Sequence, residues 1–375
     1  MSHLDRVLQG GQQRRLLALD GGGIRGAISI EILAAIESAI RQREGKPKLV
    51  LADWFDYVGG TSTGAIIATL ISLGKSVGEI RDFYHNQGEL MFDRAKLIER
   101  FWHTYSSGQL AAMLKSIIGA DVTLGSDAVR TLLLLVMRNA TTDSHWPLSN
   151  NPAAKYNAPG PKSNLLFPLW QLVRASTAAP TYFPPEEILI EDDALPFVFV
   201  DGGVTMYNNP AFLLFLMATL PAYKLEWPTG IDRMLVVSVG TGSSADANKL
   251  LAPDAMNLVY NVKKIPAALM YAALVQQDTL CRVFGACRHG DALDGEIGDL
   301  CGDSGPAGVP KLFTYARYEP GLSRAFLNGL DLQDMPLENV QQMDSVAHIN
   351  DLARLGTRYA ERHFKPDHLE GFYRT

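Results

Sequence analysis

The run Tyr57-Val58-Gly59-Gly60-Thr61-Ser62-Thr63-Gly64-Ala65-Ile66-Ile67-Ala68 decides how the rest of the chain is read. It reads as a short strand, a glycine-pinched turn carrying one serine, and an apolar helix. Gly60 and Gly64 flank Ser62 at the G-x-S-x-G spacing of a nucleophile elbow. The neighbours two positions from such a serine crowd each other, and residues without a side chain relieve that crowding. The hydroxyl is left at the carboxyl end of the strand, beside a helix N-terminus whose partial positive charge favours a developing anion. Glycine and serine are common in any strand-to-helix turn, so the pentapeptide needs support from elsewhere in the chain.

Upstream, Leu16-Leu17-Ala18-Leu19 reads as a strand ending in Asp20 and running straight into Gly21-Gly22-Gly23-Ile24-Arg25-Gly26. Ile24, Ile28, Ile32, Ile36 and Ile40 then recur every fourth residue, with Glu31, Glu37 and Arg41 between them, which predicts an amphipathic helix laid on a sheet. Gly21, Gly23 and Gly26 also fit the dinucleotide pattern G-x-G-x-x-G. That pattern needs an acid ending a second strand about 20 residues on. Glu44 stands near that distance, but in a charged helix end before Gly45 and Pro47. Consecutive glycine N–H groups at a helix start can hold an oxyanion as readily as a phosphate.

Downstream of the elbow, Gly74 ends its helix, Val77 to Asn86 reads as another, and Leu90 to Ile118 as mostly helical. Thr131 to Asn139 is an apolar run of strand length. Asn150 to Asn164 reads as a surface loop, and Leu165 to Ser176 as a helix that Pro180, Pro184 and Pro185 prevent from continuing. Phe197-Val198-Phe199-Val200 is a strand ending in Asp201-Gly202-Gly203. Asn208-Asn209-Pro210 leads into the apolar helix Ala211 to Leu220, and the strand Met234 to Val239 ends in Gly240-Thr241-Gly242. From about Ala252 the pattern is helical, with a weak strand at Leu312 to Tyr318 and a loop at Gly302 to Pro310. Ala211 to Leu220 and Ile265 to Val275 read as core rather than as membrane-facing stripes. Strands that alternate with helices and end in glycine predict a mostly parallel α/β sheet with its site at the strands' carboxyl edge.

Composition narrows the function. The 375 residues, 47% hydrophobic and 20% charged, suit one large α/β domain or two of uneven size. A net charge of -6 argues against a general nucleic-acid surface. Met1-Ser2-His3-Leu4-Asp5-Arg6 lacks the regions of a signal peptide, and no apolar run approaches the roughly 18 residues of a membrane helix, so a cytoplasmic protein is expected. Cys281, Cys287 and Cys301 form no C-x-x-C pair. They read as reduced thiols rather than, with His289, as a metal site. No metal or cofactor is expected.

Three glycine-rich turns thus offer complementary parts. Ser62 offers a nucleophile, Asp201 a base, and Gly21, Gly22 and Gly23 backbone donors, which is the set that acyl transfer needs. An aspartate before glycine also commonly hydrogen-bonds its own turn. None of the eight histidines (His3, His85, His103, His145, His289, His348, His363 and His368) stands beside a glycine turn at a strand end. His145, in Asp143-Ser144-His145-Trp146-Pro147, is the one to check. A Ser–Asp pair without histidine is favoured.

Asp20-Gly-Gly-Gly-Ile-Arg-Gly26, Gly60-Thr-Ser-Thr-Gly64, Ala175-Ser-Thr-Ala-Ala-Pro180 and Asp201-Gly-Gly203 together resemble the motifs of the patatin-like phospholipases, in the family's order. The resemblance covers about Leu16 to Gly242. It implies a three-layer α/β fold, a mostly parallel central sheet flanked by helices, in a catalytic domain over 12–250, while the helical pattern beyond it reads as a mainly helical extension over 251–375 packed on that domain. It implies a lipid acyl hydrolase of the phospholipase A type, cleaving fatty-acyl esters of phospholipids at a membrane surface. Ser62 matches the family nucleophile, Asp201 its partner, and the amides of Gly21, Gly22 and Gly23 the oxyanion hole. Arg25 fills the basic position that braces the loop or the substrate phosphate, and Gly60, Gly64, Gly202 and Gly203 are the supporting glycines. Partial burial of Asp201 is expected to raise its pKa from the ordinary value of about 3.9. The alternatives are a short-chain or general esterase, a phospholipase effector activated by a cyclic dinucleotide, a nucleotide-dependent oxidoreductase using Gly21 to Gly26, and a non-catalytic lipid-binding protein. A homo-oligomer and a cyclic-dinucleotide activator are open as partners.

Overall fold

A computed structural model describes residues 3–9, 11, 13–92, 106–180, 182–190, 195–243, 258–302, 306, 308–343 and 346–374. Nine strands join one sheet. They are β1 (Arg14–Leu19), β2 (Tyr57–Thr61), β3 (Leu132–Asn139), β4 (Ser144–Ser149), β5 (Glu186–Ile188), β6 (Phe197–Asp201), β7 (Met234–Val239), β8 (Gly285–His289) and β9 (Phe313–Tyr318). Six of them run parallel, in the order β3-β2-β1-β7-β9-β8. β4 and β6 pair antiparallel with β3, and β5 with β6.

The apolar runs account for this arrangement. A parallel strand covered on both faces must be apolar at every position. In β1, Leu17 and Leu19 enter one core while Leu16 and Ala18 enter the other, all four fully buried. The first core is closed by the helices Gly26–Glu44, Thr63–Ser72, Leu169–Ser176 and Ile349–His363. The second is closed by Ala211–Thr219 and the end of Leu258–Phe284. The result is the expected α/β sandwich of helix, sheet and helix. Ile24, Ile28, Ile32, Ile36 and Ile40 are all fully buried, so the fourfold isoleucine spacing marks the face it was read to mark. Ala211–Thr219 is core as well, but Ile265 to Val275 is not: its described residues, 268–275, are half-buried or exposed.

The part after residue 250 is less purely helical than its sequence pattern. β9, the strand read at Leu312 to Tyr318, pairs with β7 from Leu235 to Val239, and β8, which the sequence does not mark as a strand, pairs with β9. β8 is Gly-Ala-Cys-Arg-His, which carries no β-branched residue and no alternation, so only pairing with β9 makes it a strand. The helix Ile349–His363 lays Leu352, Leu355 and Tyr359 into the same core as Ile28 and Ile32, and Gly356 lies against the Ile28 backbone.

Asn150 to Asn164 is a largely exposed loop, as read, and it is pinned to the sheet: Asn150 Oδ1 accepts the Leu133 N–H, and Asn157 Nδ2 donates to the carbonyls of Ser149 and Asn151. Arg14 and Arg15 extend β1 backwards although both are charged. Arg14 donates to the Val7 carbonyl under the Trp227 ring, and Arg15 donates to the Phe372 carbonyl. Of the helical reading from Leu90 to Ile118, Ser106–Ile118 is a helix and residues 93–105 lie outside the described residues, with Trp102, His103 and Tyr105 among them.

Candidate active site

The site begins with β3. β2 climbs parallel to it as far as the pair Thr61–Val136, and β6 descends antiparallel as far as the next pair, Asp201–Met137. β4 occupies the opposite edge of β3 over both stretches. β2 and β6 therefore meet end to end along one edge. The residue that leaves β2 there is Ser62, and the residue that ends β6 is Asp201.

Ser62 has φ 55° and ψ −124°, a left-handed backbone that a serine adopts only under constraint. The constraint is the closeness of the elbow to its surroundings. A Cβ on Gly60 would overlap the Gly64 carbonyl, and one on Gly64 would overlap the Leu19 and Asp20 carbonyls. The helix Thr63–Ser72 starts immediately after, so its positive end lies at the hydroxyl. The Ser62 N–H donates to Ser176 Oγ at 3.1 Å, and Ser176 Oγ donates to the Val136 carbonyl at 2.6 Å. The Asp201 N–H donates to the Ala178 carbonyl at 3.0 Å. The Ala175–Pro180 stretch thus ties both Ser62 and Asp201 to one frame, a role its sequence alone did not disclose.

Ser62 Oγ donates to Asp201 Oδ2 at 2.6 Å, and the other oxygen, Oδ1, accepts the Gly203 N–H at 2.6 Å. Asp201 therefore serves its own turn and faces the serine as well. Burial pushes its pKa up to about 6, against the lowering effect of the hydrogen bonds from Ser62 and Gly203. Gly202 backs onto the Val136 carbonyl, so the turn after Asp201 hugs β3. Among the described residues no histidine hydrogen-bonds to Ser62 or Asp201. His145 sits on β4 with its ring 5.1 Å from that of Tyr207.

The glycine loop closes the site from β1. Gly21 lies beside the serine: a Cβ on it would be 3.1 Å from Ser62 Cβ. Its N–H, expected to face an oxyanion, is already donated to the Asn208 carbonyl at 3.2 Å. Of the three glycine amides, those of Gly22 and Gly23 are thus left without an internal acceptor among the described residues.

Beneath the loop runs a buried charge network from β9. Arg317 donates to Asp20 Oδ1 and Oδ2 at 2.9 and 2.6 Å and to Ser238 Oγ at 2.7 Å, and it also pairs with Glu319. Burial opposes the Arg317 charge, but Asp20 and Glu319 outweigh it and keep the guanidinium protonated. Burial pushes Glu319 up to about 7, with Arg317 and Arg25 opposing the rise and Asp20 adding to it. Arg25 is half-buried, and its Nε has no hydrogen-bond acceptor among the described residues. Its backbone N–H closes the loop on the Gly22 carbonyl at 3.3 Å. Arg25 thus braces the loop through its backbone, while Arg317, which no motif flagged, braces it through Asp20.

The residues behind the nucleotide and metal readings have structural partners. Glu44 accepts the Trp54 indole N–H at 2.8 Å and the Arg374 N–H at 2.8 Å, so it ties a helix end to the chain's last residues. Cys287 and Cys301 lie with their sulfurs 3.2 Å apart, and His289 stacks on His368. Among the described residues no group of three or more His, Cys, Asp or Glu side chains is arranged to hold a metal ion.

Comparison with known proteins gives consistent results. A family model described as patatin-like phospholipase matches residues 17–215, more than half of the chain. Patatin-17 of Solanum cardiophyllum is 28% identical over 254 residues, covering 64% of this chain and 63% of its own length. The cGAMP-activated phospholipase of Vibrio cholerae is 31% identical over 213 residues, covering 54% of this chain and 56% of its own length. Patatin-like protein 1 of Oryza sativa is 29% identical over 333 residues, covering 75% and 76%. The match to the first two of these spans less than two thirds of their lengths.

Proposed function

This chain belongs to the patatin-like phospholipase family, and on that premise we propose that it hydrolyses fatty-acyl esters of phospholipids with Ser62 as nucleophile and Asp201 as base. The observation that carries the reading is the 2.6 Å hydrogen bond from Ser62 Oγ to a buried carboxylate, with no histidine between them. Asp201 Oδ2 takes the hydroxyl proton as Oγ forms its bond to the ester carbonyl carbon. The carbonyl oxygen becomes an oxyanion, held by the N–H groups of Gly22 and Gly23 and by the positive end of the helix Thr63–Ser72. Collapse breaks the ester bond, and Asp201 returns its proton to the departing alcohol oxygen. Water then attacks the acyl-serine with Asp201 again as base, and release of the fatty acid restores Ser62 Oγ–H.

The surroundings suit a lipid. Val204 and Met206, which follow the Asp201 turn, are 43% and 48% exposed, and Leu269 on the neighbouring helix Leu258–Phe284 is 65% exposed. Met270, on the same helix, reaches toward Gly203. Among the described residues no helix is long and apolar enough to cross a membrane. The proposed encounter is therefore peripheral, with these side chains beside the site.

The test compares phosphatidylcholine and phosphatidylglycerol vesicles with a short p-nitrophenyl ester. Fatty-acid release from vesicles, absent in Ser62→Ala, supports the reading. Cleavage of the short ester alone by the wild type would reduce it to a general esterase. A second reading, activation by a cyclic dinucleotide, is favoured by the name of the Vibrio cholerae relative. It is tested by adding a panel of cyclic dinucleotides to the vesicle assay, and an unchanged rate would remove it.

A further inference from the structure

The turn Gly240-Thr241-Gly242 after β7 has no part in the chemistry above, yet it touches the loop that does. Thr241 is buried, and its Oγ1 donates to the Gly21 carbonyl at 3.0 Å. Asn208, which follows β6, grips the same residue twice: its carbonyl accepts the Gly21 N–H at 3.2 Å, and its Nδ2 donates to the Gly21 carbonyl at 3.4 Å. Gly21 is thus held at both of its backbone polar groups.

The consequence lies in the next peptide bond. The Gly21 carbonyl and the Gly22 N–H belong to one planar trans unit, in which C=O and N–H point in opposite directions. Fixing the carbonyl on one side fixes where the N–H points on the other. A glycine-rich loop has little else to set that direction, because glycine backbones reach many conformations at similar energy. Donors to an oxyanion are effective when they are aimed before the charge develops, since no reorganisation is then needed during the reaction.

We propose that Thr241, assisted by Asn208, is a positioning residue that aims the Gly22 N–H at the oxyanion by clamping the Gly21 carbonyl from behind. This rests on the acyl-hydrolase reading above and extends it to a residue beyond the family match, which ends at residue 215. The Thr241 hydroxyl touches no substrate atom in this arrangement. It acts on the transition state through one peptide plane, so its loss acts on kcat rather than on substrate affinity.

The experiment is steady-state hydrolysis of the p-nitrophenyl ester and of phospholipid vesicles by the wild type, Thr241→Val, Thr241→Ala and Thr241→Ser, with a thermal melt of each. Valine keeps the shape and removes the donor. Alanine removes the donor without adding bulk, so a folding failure in one variant leaves the other as the measure. Serine keeps the donor. The expected result is a fall in kcat of at least about tenfold in the valine and alanine variants, smaller than the loss from deleting a donor outright. KM is expected to stay within about twofold, and serine to recover most of the lost rate. Wild-type kcat in a folded valine or alanine variant overturns the clamp, as does a serine variant no better than alanine. A wild type that hydrolyses neither the p-nitrophenyl ester nor phospholipid vesicles overturns the acyl-hydrolase reading and the clamp with it, whereas a wild type active on either substrate, with variants unaffected on that substrate, overturns the clamp alone.

Discussion

Ser62 and Asp201 are 139 positions apart in the chain, yet Oγ and Oδ2 lie 2.6 Å from each other because their strands arrive from opposite directions on the same edge of β3. This contact is therefore a property of sheet register. Thr61 faces Val136 and Asp201 faces Met137, so a one-residue slip of either strand would send the side chain to the other face of the sheet.

Ionising Asp201 works against the fold. Burial lifts its pKa from the ordinary 3.8 to about 6. The folded state then holds this proton more tightly than the unfolded chain, so the contribution is fully present below the ordinary value and is lost as pH rises through about 6. Asp201→Asn removes that loss. Its melting temperature is expected to exceed that of the wild type at neutral pH, with the gap closing toward acid. Melting curves of both proteins across pH check this, and a gap that widens toward acid would contradict it.

Gly64→Ala places a methyl against the carbonyls of Leu19 and Asp20, which are backbone and cannot swing aside. The expected cost is about 1–3 kcal/mol of stability, as for other overpacked sites. Activity is expected to fall further than the stability loss accounts for, because the displaced backbone carries Ser62. Chemical denaturation beside ester hydrolysis separates the two, and a fully active, unshifted variant would show that the elbow is looser than its contacts imply.

Arg317→Met leaves the fully buried Asp20 without its counter-charge. Breaking a buried pair in this way costs about 3–5 kcal/mol. Glu319 loses the same partner, so adding Asp20→Asn removes one of the two stranded carboxylates and is expected to restore part of the loss, which denaturant titration of both variants measures. Equal stability of the single and double variants would show that Asp20 does not depend on Arg317.

Much of this was legible in the sequence because it is local. The fourfold spacing of Ile24 to Ile40, the elbow around Ser62 and the strand ending at Asp201 each depend on a few neighbouring residues. What was hidden depends on pairing between distant segments. β8 has no strand pattern and forms only beside β9, and Arg317 looks like a surface charge until β9 places it under Asp20. The occupied N–H of Gly21 could not be read either, since its acceptor is the carbonyl of Asn208. Asn150 and Asn157 lie in the loop as read, but the β3 and β4 backbone groups they bind lie outside that loop and could not be read.

The most direct test is the pH dependence of kcat/KM for ester hydrolysis by the wild type, Ser62→Ala and Asp201→Asn. The dyad predicts a wild-type rate that rises through a single ionisation near pH 6, as burial-raised Asp201 loses its proton, and then levels off. Ser62→Ala is expected to be inactive, and Asp201→Asn to lose about 10²- to 10⁴-fold together with that rising limb. Hydrolysis that survives in Ser62→Ala, or a wild-type pH profile retained in Asp201→Asn, would contradict the account.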